Sequence, residues 1–155
     1  MIVYLCLPMA VEIKNKKAAY RYFLEDEMIA GISLLGSEIK SVRAGKASIV
    51  EGYCRFKNGE LFVYNMFIAE YENSGYVSHK PKRPRKLLLT KHELEKLEKK
   101  LKNVGLTIVP ILMFISETGF AKLKIAVAKG KKLHDKRDDL KQKDLKRDID
   151  RAGRI

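Results

Sequence analysis

The sequence lacks most of the residue groups that catalytic and metal-binding proteins require. It has 2 cysteines, which form no CxxC pair, and 3 histidines, which lack the spacing of metal ligands. Neither its glycines nor its lysines match a phosphate-binding loop. The carboxylates of residues 25–27 would point to opposite faces of a strand and are typical of a solvated turn. We therefore expect no enzyme, no metal site and no cofactor, and the two lone thiols favour a reducing, cytoplasmic location.

A long apolar segment is also missing. The opening residues 1–8 are apolar, but they are too few to span a bilayer and have no basic start like that of a signal peptide. We expect residues 1–13 to be a disordered leader, and we assign no function to residues 1–8, which are a leader or the product of an upstream start site. No basic amphipathic helix with an aromatic face is present, so we expect no membrane partner.

What the sequence does have is positive charge. Lys and Arg number 32 against 19 acidic residues, for a formal net charge of +13 over 155 residues. The last 27 residues carry 11 of the basic and 6 of the acidic residues, a net +5, which leaves +8 for the rest. Because both parts are basic, we expect a polyanionic partner, with nucleic acid favoured over membrane.

Residues 129–155, which we call the tail, are too poor in apolar side chains to fold alone. Fixing their backbone costs roughly 27 kcal/mol, whereas five large apolar side chains return at most about 15 kcal/mol together. These side chains fall on different helical faces, and opposite charges three and four residues apart favour a helix only weakly. One interpretation is a frayed, solvated helix. The other, which we favour, is a basic arm that orders on a polyanion.

Residues 14–128, which we call the body, predict one domain of about six short, mainly antiparallel strands closed into a small barrel. The strongest local signal is Asn58-Gly59, a hairpin turn between two apolar runs whose Cys54, Phe56, Leu61 and Val63 should line the barrel. Residues 121–127 alternate, with Leu123, Ile125 and Val127 inward and Lys122 and Lys124 outward. After Ala128 the chain should leave the sheet. Gly31 suggests a bulge or bend in one strand, and Pro110 a bulge or edge in another.

Two helices are predicted on the body. Ser37 is a candidate N-cap for a short helix that turns Ile39 and Val42 inward, leaving Lys40 and Arg43 outward with Lys46 just beyond its end. We call these three basic residues the basic knob. Thr90 and Glu93 form a capping box for a second helix, with Leu89 stapled to Leu94. Its buried stripe should consist of Leu94, Leu97, Leu101 and Val104, and Gly105 should end it.

Two further clusters are candidates for phosphate contact. Residues 80–86 carry five positive charges in seven residues, with Pro81 and Pro84 excluding a helix or a sheet interior. We expect an extended loop that faces phosphates, because a bare loop has no reason to concentrate like charges. Residues 14–17 form a basic cluster in which Asn15, Lys16 and Lys17 either contact phosphate or are ordinary surface.

Several longer motifs, in order from about Asn15 to the end of the chain, resemble the small protein B family of SsrA-binding proteins, which bind tmRNA in bacterial trans-translation. They are Ala-Gly-Ile at 30–32, Gly-Ser-Glu-Ile-Lys-Ser-Val-Arg-Ala-Gly-Lys at 36–46, Arg-Lys-Leu-Leu-Leu at 85–89, Gly-Leu-Thr-Ile-Val-Pro at 105–110, Ala-Lys-Gly-Lys-Lys at 128–132 and Asp-Lys-Arg at 135–137. Two positions depart from the family pattern. Ile29 stands where a glutamate is frequent, so a role for an acid is not carried over to this position, and Lys80 replaces an aspartate, which makes the loop more basic.

The resemblance implies a mainly β, OB-like barrel with two or three flanking helices and a disordered basic tail. It implies that the body binds the tRNA-like domain of tmRNA, while the tail enters the decoding region of stalled ribosomes and orders there as a helix. Elongation factor Tu would join through tmRNA, and we expect a monomer. The expected tmRNA-binding residues are Asn15, Lys16, Lys17, Lys40, Arg43, Lys46, Arg83, Arg85, Lys86, Lys122 and Lys124. The expected ribosome-contacting residues are Lys129, Gly130, Lys131, Lys132, Asp135, Lys136, Arg137 and Lys141.

Two other functions stay open at this point. A general OB-fold RNA-binding or ribosome-associated protein would have the same basic barrel, but it would bind a mixed population of RNAs. An RNA-processing enzyme is far less favoured, because no catalytic constellation accompanies the charge.

Overall fold

A computed structural model of the chain describes residues 11–72 and 78–153. Most of the predicted leader therefore lies outside the described residues, although its last residues, Glu12 and Ile13, already belong to the first strand. The strands are β1 Glu12–Lys14, β2 Tyr22–Ile32, β3 Ala47–Ser48, β4 Tyr53–Lys57, β5 Glu60–Tyr64, β6 Phe67–Ile68, β7 Arg85–Leu88, β8 Leu106–Ile115 and β9 Ala121–Gly130. The helices are α1 Ala18–Arg21, α2 Gly36–Arg43, α3 Lys91–Leu101 and α4 Leu133–Ala152.

Six antiparallel strands close into a barrel. Their order is β8-β4-β5-β7-β2-β9, and β9 pairs back onto β8 to complete the ring. Strand β1 adds to the outer edge of β8, and β3 pairs with β6 as a separate two-stranded sheet. The predicted small closed antiparallel barrel is thus confirmed.

The local signals for the barrel core are confirmed. Asn58 and Gly59 have φ values of 52° and 76°, as a type I′ hairpin turn requires, and they set the register of β4 on β5. Cys54, Leu61 and Val63 are buried, as are Leu123, Ile125 and Val127 on β9. The alternating pattern therefore identified the faces of both strands.

Two strands of the barrel carry bulges. The bulge in β8 lies at Pro110, as predicted, whereas the bulge in β2 does not lie at the predicted Gly31. The register of β8 on β9 shifts between Pro110 and Leu112, whereas β2 bulges between Glu25 and Met28 and not at Gly31. Gly31 instead pairs regularly with Leu88, and a Cβ there would lie 3.2 Å from Leu88 Cβ. The glycine serves close strand packing and not a bulge.

The capping box of α3 is confirmed, because Glu93 N donates to Thr90 Oγ1 at 3.3 Å and Thr90 N donates to Glu93 Oε2 at 2.9 Å. Leu97 is buried against the barrel. The prediction that Val104 joins the buried stripe was wrong. The helix ends at Leu101, so Val104 lies beyond it and is fully exposed.

The N-cap residue of α2 lies two residues before the predicted one, Ser37. Leu35 is the N-cap residue, and its N–H donates to Glu38 Oε2 at 2.8 Å. Ser37 therefore lies inside the first turn, which corrects the prediction. Val42 is buried and Ile39 packs against the core, so the predicted inward face of α2 is confirmed.

The tail continues the barrel without a break before it becomes helical. Strand β9 runs past the predicted exit at Ala128, because Lys129 and Gly130 still pair with Phe23 and Tyr22. Helix α4 follows, and every residue from Leu140 to Ala152 is exposed. Ion pairs three residues apart, Asp144 with Arg147 at 3.8 Å and Asp148 with Arg151 at 3.9 Å, lie on its surface. That the tail orders only on ribosomal RNA stays a prediction.

Among the helices of the described residues, none is both long and apolar enough to cross a membrane.

Candidate nucleic-acid interface

A buried ionic cluster joins α2 to the basic segment before β7. The Glu38 side chain is fully buried, and its carboxylate accepts from Arg85 Nε at 2.8 Å and from Arg83 Nη2 at 2.8 Å. Burial opposes ionisation of Glu38, but hydrogen bonds from Arg83, from the Leu35 amide and from Arg85 outweigh it, so the pKa of Glu38 lies below its usual value. The carboxylate thus holds two elements of the surface together.

Arg85 is part of this cluster and not of the surface. Its side chain is fully buried, and its other nitrogens donate to Met66 O at 2.7 Å and to Pro81 O at 3.1 Å. In this arrangement Arg85 makes no direct phosphate contact, which corrects its prediction as an RNA-binding residue. The signal was present in the sequence, because Arg85 and Leu87 alternate with Lys86 and share the inward face of one strand.

Asn15 is also buried, at 8% exposure. Its Nδ2 donates to Pro110 O at 2.9 Å and approaches Ile49 O at 3.5 Å, so the amide ties the end of β1 to the bulge in β8. The sequence left two alternatives for Asn15, a phosphate contact or an ordinary surface position. The structure fits neither, because the side chain is buried. Lys16 and Lys17 are exposed beside it and remain available to phosphate.

The basic knob is on the surface, as predicted. Lys40, Arg43 and Lys46 are all exposed. Lys40 Nζ lies 5.2 Å from the centre of the Tyr71 ring, and Arg43 Nη2 donates to Gly119 O at 3.4 Å in the turn between β8 and β9. The Lys46 carbonyl accepts from Ala69 N at 2.9 Å, so the knob borders the chain that leaves β6.

Residues 80–83 form a turn and not the extended loop that the prolines predicted; residues 73–77 of that loop lie outside the described part of the chain. Arg83 N donates to Lys80 O at 3.2 Å, with Pro81 at the second position of the turn. Lys80 and Lys82 are exposed, whereas Arg83 is half-buried on Glu38. We call residues 80–83 the basic turn.

His79 anchors the start of the basic turn. The ring is buried, with Nε2 3.1 Å from Ile68 O and Nδ1 2.9 Å from Ser37 Oγ. Because a carbonyl can only accept, Nε2 carries a proton, and in the neutral ring Nδ1 then accepts from the Ser37 hydroxyl. Sequence reasoning gave this histidine no role, since its partners are distant in the chain.

The remaining body residues of the predicted set lie on the outer face of β7, β2 and β9. Gly31 pairs with Leu88 on one side and Lys122 on the other, and Ile29 pairs with Lys124. Ile29 and Leu88 are exposed at 53% and 54%. Lys86 pairs with Glu60 at 2.6 Å and Lys124 with Glu27 at 2.5 Å. We call this surface the strand patch; its members are Ile29, Lys86, Leu88, Lys122 and Lys124.

The base of the tail is fixed by Lys131. Its Nζ donates to Ala19 O at 2.9 Å, pairs with Asp139 and lies 4.9 Å from the centre of the Phe23 ring, which leaves the side chain 9% exposed. Lys131 thus holds α4 to the body and, in this arrangement, is not free to contact the ribosome. Lys129, Gly130, Lys132, Arg137 and Lys141 are exposed, and Asp135 and Lys136 are half-buried.

The described residues contain no group of three or more His, Cys, Asp or Glu side chains able to hold a metal ion. Cys54 is buried, and desolvation raises the pKa of its thiol. The arrangement is therefore one of basic surfaces on a rigid barrel, suited to binding a polyanion.

The chain is similar to proteins of one family over almost its whole length. The sequence profile of the family described as "SmpB protein" matches residues 12–155. The SsrA-binding protein of Phocaeicola vulgatus is 56% identical over 144 residues, covering 93% of this chain and 96% of the relative. That of Christiangramia forsetii is 51% identical over 142 residues, covering 92% and 90%, and that of Moorella thermoacetica is 43% identical over 140 residues, covering 90% of each.

A solved structure is similar as well. A chain from work described as "tmRNA-SmpB: a journey to the center of the bacterial ribosome" matches with a TM-score of 0.67 and 42% identity, covering 79% of this chain and 86% of that chain.

Proposed function

This chain belongs to the SmpB protein family, and on that basis we propose that it binds tmRNA and acts with it on stalled ribosomes. The observation that carries the proposal is the extent of the match, because residues 12–155 include both the body and the tail. A general RNA-binding barrel would share the body alone.

The body binds the tRNA-like domain of tmRNA through its basic surfaces. The basic knob, the exposed lysines of the basic turn, Lys16 and Lys17, and the strand patch supply the positive charge, and the closed barrel holds these residues in fixed positions. Phosphate contacts of this kind position an RNA without reading its sequence. Arg85 supports the surface from beneath and is not among the direct contacts. Arg83 is half-buried on Glu38, and its exposed part remains open to the RNA.

The tail acts in the decoding region of the small ribosomal subunit and along the mRNA path. Every residue of the tail from Leu140 to Ala152 is exposed, so the basic side chains in this range remain available to ribosomal RNA. Helix α4 presents them in one helical arrangement. The activity belongs to the cytoplasm, where ribosomes translate. Elongation factor Tu joins through tmRNA, and the protein acts as a monomer.

Sequencing the RNA that copurifies with the protein from bacterial cells tests this function. We expect one dominant tRNA-like species, tmRNA, together with ribosomal RNA. A mixed population without tmRNA would favour the general RNA-binding alternative. A variant with Lys40, Arg43 and Lys46 all replaced by Ala should retain its fold and lose most of the copurifying tmRNA.

A further inference from the structure

We propose that a groove beside β6 receives one unstacked base from a loop of tmRNA, with the flanking phosphates held at its rim. The groove is lined by Phe67 and residues 80–84 and has a volume of about 680 Å³. That volume lies within the range of about 300–1,000 Å³ that is usual for small-ligand sites. The proposal rests on the proposed function, since it names a contact that the RNA makes with the body.

The walls of the groove have the chemistry that a nucleobase requires. Phe67 is 40% exposed, so a face or edge of its ring is open to a flat partner, and Pro81 and Pro84 supply further apolar surface. Aromatic side chains stack on unpaired bases of any sequence. Phe67 is exposed and has no evident role in the core. Its neighbour in the same two-residue strand, Ile68, is fully buried and packs in the core.

The rim of the groove has the charge that the phosphates require. Lys80 and Lys82 are exposed there, and none of the described residues that line the groove is acidic. Arg83, which lines the groove, and the buried Arg85 share the single carboxylate of Glu38, so these three side chains together keep one positive charge. Apolar walls with a positive rim are complementary to a base and its phosphates, and not to an uncharged peptide.

The groove is formed before any ligand arrives. The Pro81 carbonyl accepts from Ile68 N at 2.9 Å and from Arg85 Nη2 at 3.1 Å, so two buried elements hold one wall. Arg83 is fixed on Glu38 by two hydrogen bonds, at 2.8 and 3.2 Å. Binding therefore requires little ordering of the protein, which favours affinity.

The groove is also continuous with the basic knob. Ala69, just after β6, donates to the Lys46 carbonyl at 2.9 Å, and Phe67 in β6 pairs with Ser48 in β3. An RNA strand that follows the knob would thus reach Phe67 within a short distance along β6. We therefore assign the base to tmRNA, which the body binds, and not to ribosomal RNA at the tail.

A fluorescent variant tests whether a base enters the groove. The chain contains no tryptophan, so Phe67→Trp introduces a single indole there. We expect the transcribed tRNA-like domain of tmRNA to bind this variant with nearly the wild-type affinity and to quench its emission saturably. Heparin, a polyanion without bases, should bind without comparable quenching. RNA binding that leaves the emission unchanged would overturn the proposal.

Removal of the ring tests its contribution to affinity. Stacking of a base on an aromatic side chain corresponds to roughly a 5- to 150-fold effect on binding, so Phe67→Ala should weaken binding of the tRNA-like domain within that range. Phe67→Tyr should bind like the wild type, and Phe67→Leu, which keeps apolar area without a π face, should behave like the alanine variant. Equal binding by all three variants would contradict stacking.

A matched pair of charge variants tests the rim. Lys80→Ala with Lys82→Ala should weaken binding and reduce its salt dependence, whereas Lys99→Ala with Lys102→Ala, at exposed positions at the end of α3, should change neither. If the two double variants behave alike, the rim has no special role.

These experiments separate the groove from the proposed function. If the wild-type protein does not bind the tRNA-like domain, the proposed function fails. If it binds and Phe67→Ala binds equally well, only the groove proposal fails. If Phe67→Ala loses ribosome association while its affinity for the tRNA-like domain is unchanged, the occupant is ribosomal RNA and the assignment to tmRNA is overturned.

Discussion

The body and the tail carry similar basic sequences but place their charges in opposite environments. In the body, Arg83 and Arg85 converge on one buried carboxylate and hold a turn in place. In the tail, Arg147 and Arg151 make only exposed pairs with residues three positions away. A buried pair fixes geometry because removing one partner leaves a desolvated charge, whereas an exposed pair contributes little. Charge therefore builds a rigid surface in the body and leaves an adaptable one in the tail.

The strongest test of this comparison removes the tail. Truncation after Gly130, where pairing of β9 ends, should abolish tagging of stalled nascent chains in a reconstituted translation system. Because α4 is exposed beyond Leu140, the free energy of unfolding should change by less than about 1 kcal/mol, and most tmRNA affinity should remain. Full tagging by the truncated protein would show that the two regions do not divide the function.

Breaking the buried cluster should have the next largest effect. Glu38→Ala leaves Arg85 buried without its partner, so we expect a loss of about 3–5 kcal/mol in the free energy of unfolding, measured by urea denaturation. Arg85→Ala should be comparably destabilising, whereas Glu98→Ala, at an exposed position on α3, should be nearly neutral. A small loss for Glu38→Ala would mean that the cluster does not shape the body.

The same cluster predicts a pH dependence. Because the folded protein holds the pKa of Glu38 below its usual value, this carboxylate stabilises the fold above its unfolded pKa of about 4.3 and loses that contribution as the pH falls through the folded pKa. The free energy of unfolding should therefore fall more steeply below about pH 4 in the wild type than in Glu38→Gln. Parallel curves for the two proteins would contradict this assignment.

A cavity beneath α3 should lower the stability of the body without changing the surfaces that bind RNA. Leu97 is buried between α3 and the barrel, so Leu97→Ala should cost about 2–5 kcal/mol. Affinity for tmRNA, measured well below the melting temperature, should be unchanged. A specific loss of affinity in folded Leu97→Ala protein would place α3 in the interface and would extend the functional surface of the body.

The smallest expected effect is at the junction of the two regions. Lys131→Ala removes the contacts to Ala19 O, to the Phe23 ring and to Asp139, so the first turns of α4 should be helical in a smaller fraction of molecules. Carbon chemical shifts of residues 133–140 should report a lower helical population, while the melting temperature stays the same. A drop of several degrees would mean that the junction is part of the body's core.

Local sequence signals predicted much of the fold. The Asn58-Gly59 turn, the Thr90–Glu93 capping box and the alternation along β9 each depend on neighbouring residues, and the structure confirms all three. The misassigned residues depend on distant partners. Arg85 lies 47 positions from Glu38, and Asn15 lies 95 positions from Pro110, so composition alone made Arg85 and Asn15 look like surface residues. Alternation within β7 was the one local signal that could have identified Arg85 as internal.

The short link between β9 and α4 sets the rotational phase of the tail. Only residues 131–132 separate Gly130 from Leu133, and the contacts of Lys131 fix the first turn. In the helical arrangement of the structure, each later residue consequently has one angular position relative to the barrel. Inserting a single residue after Lys136 would rotate everything beyond it by about 100° and advance it by about 1.5 Å. An insertion of seven residues would restore the angle but lengthen the helix by about 10 Å. In this helical arrangement, an insertion or deletion near the start of α4 would shift every later basic residue of the tail at once, whereas a substitution would change only one of them.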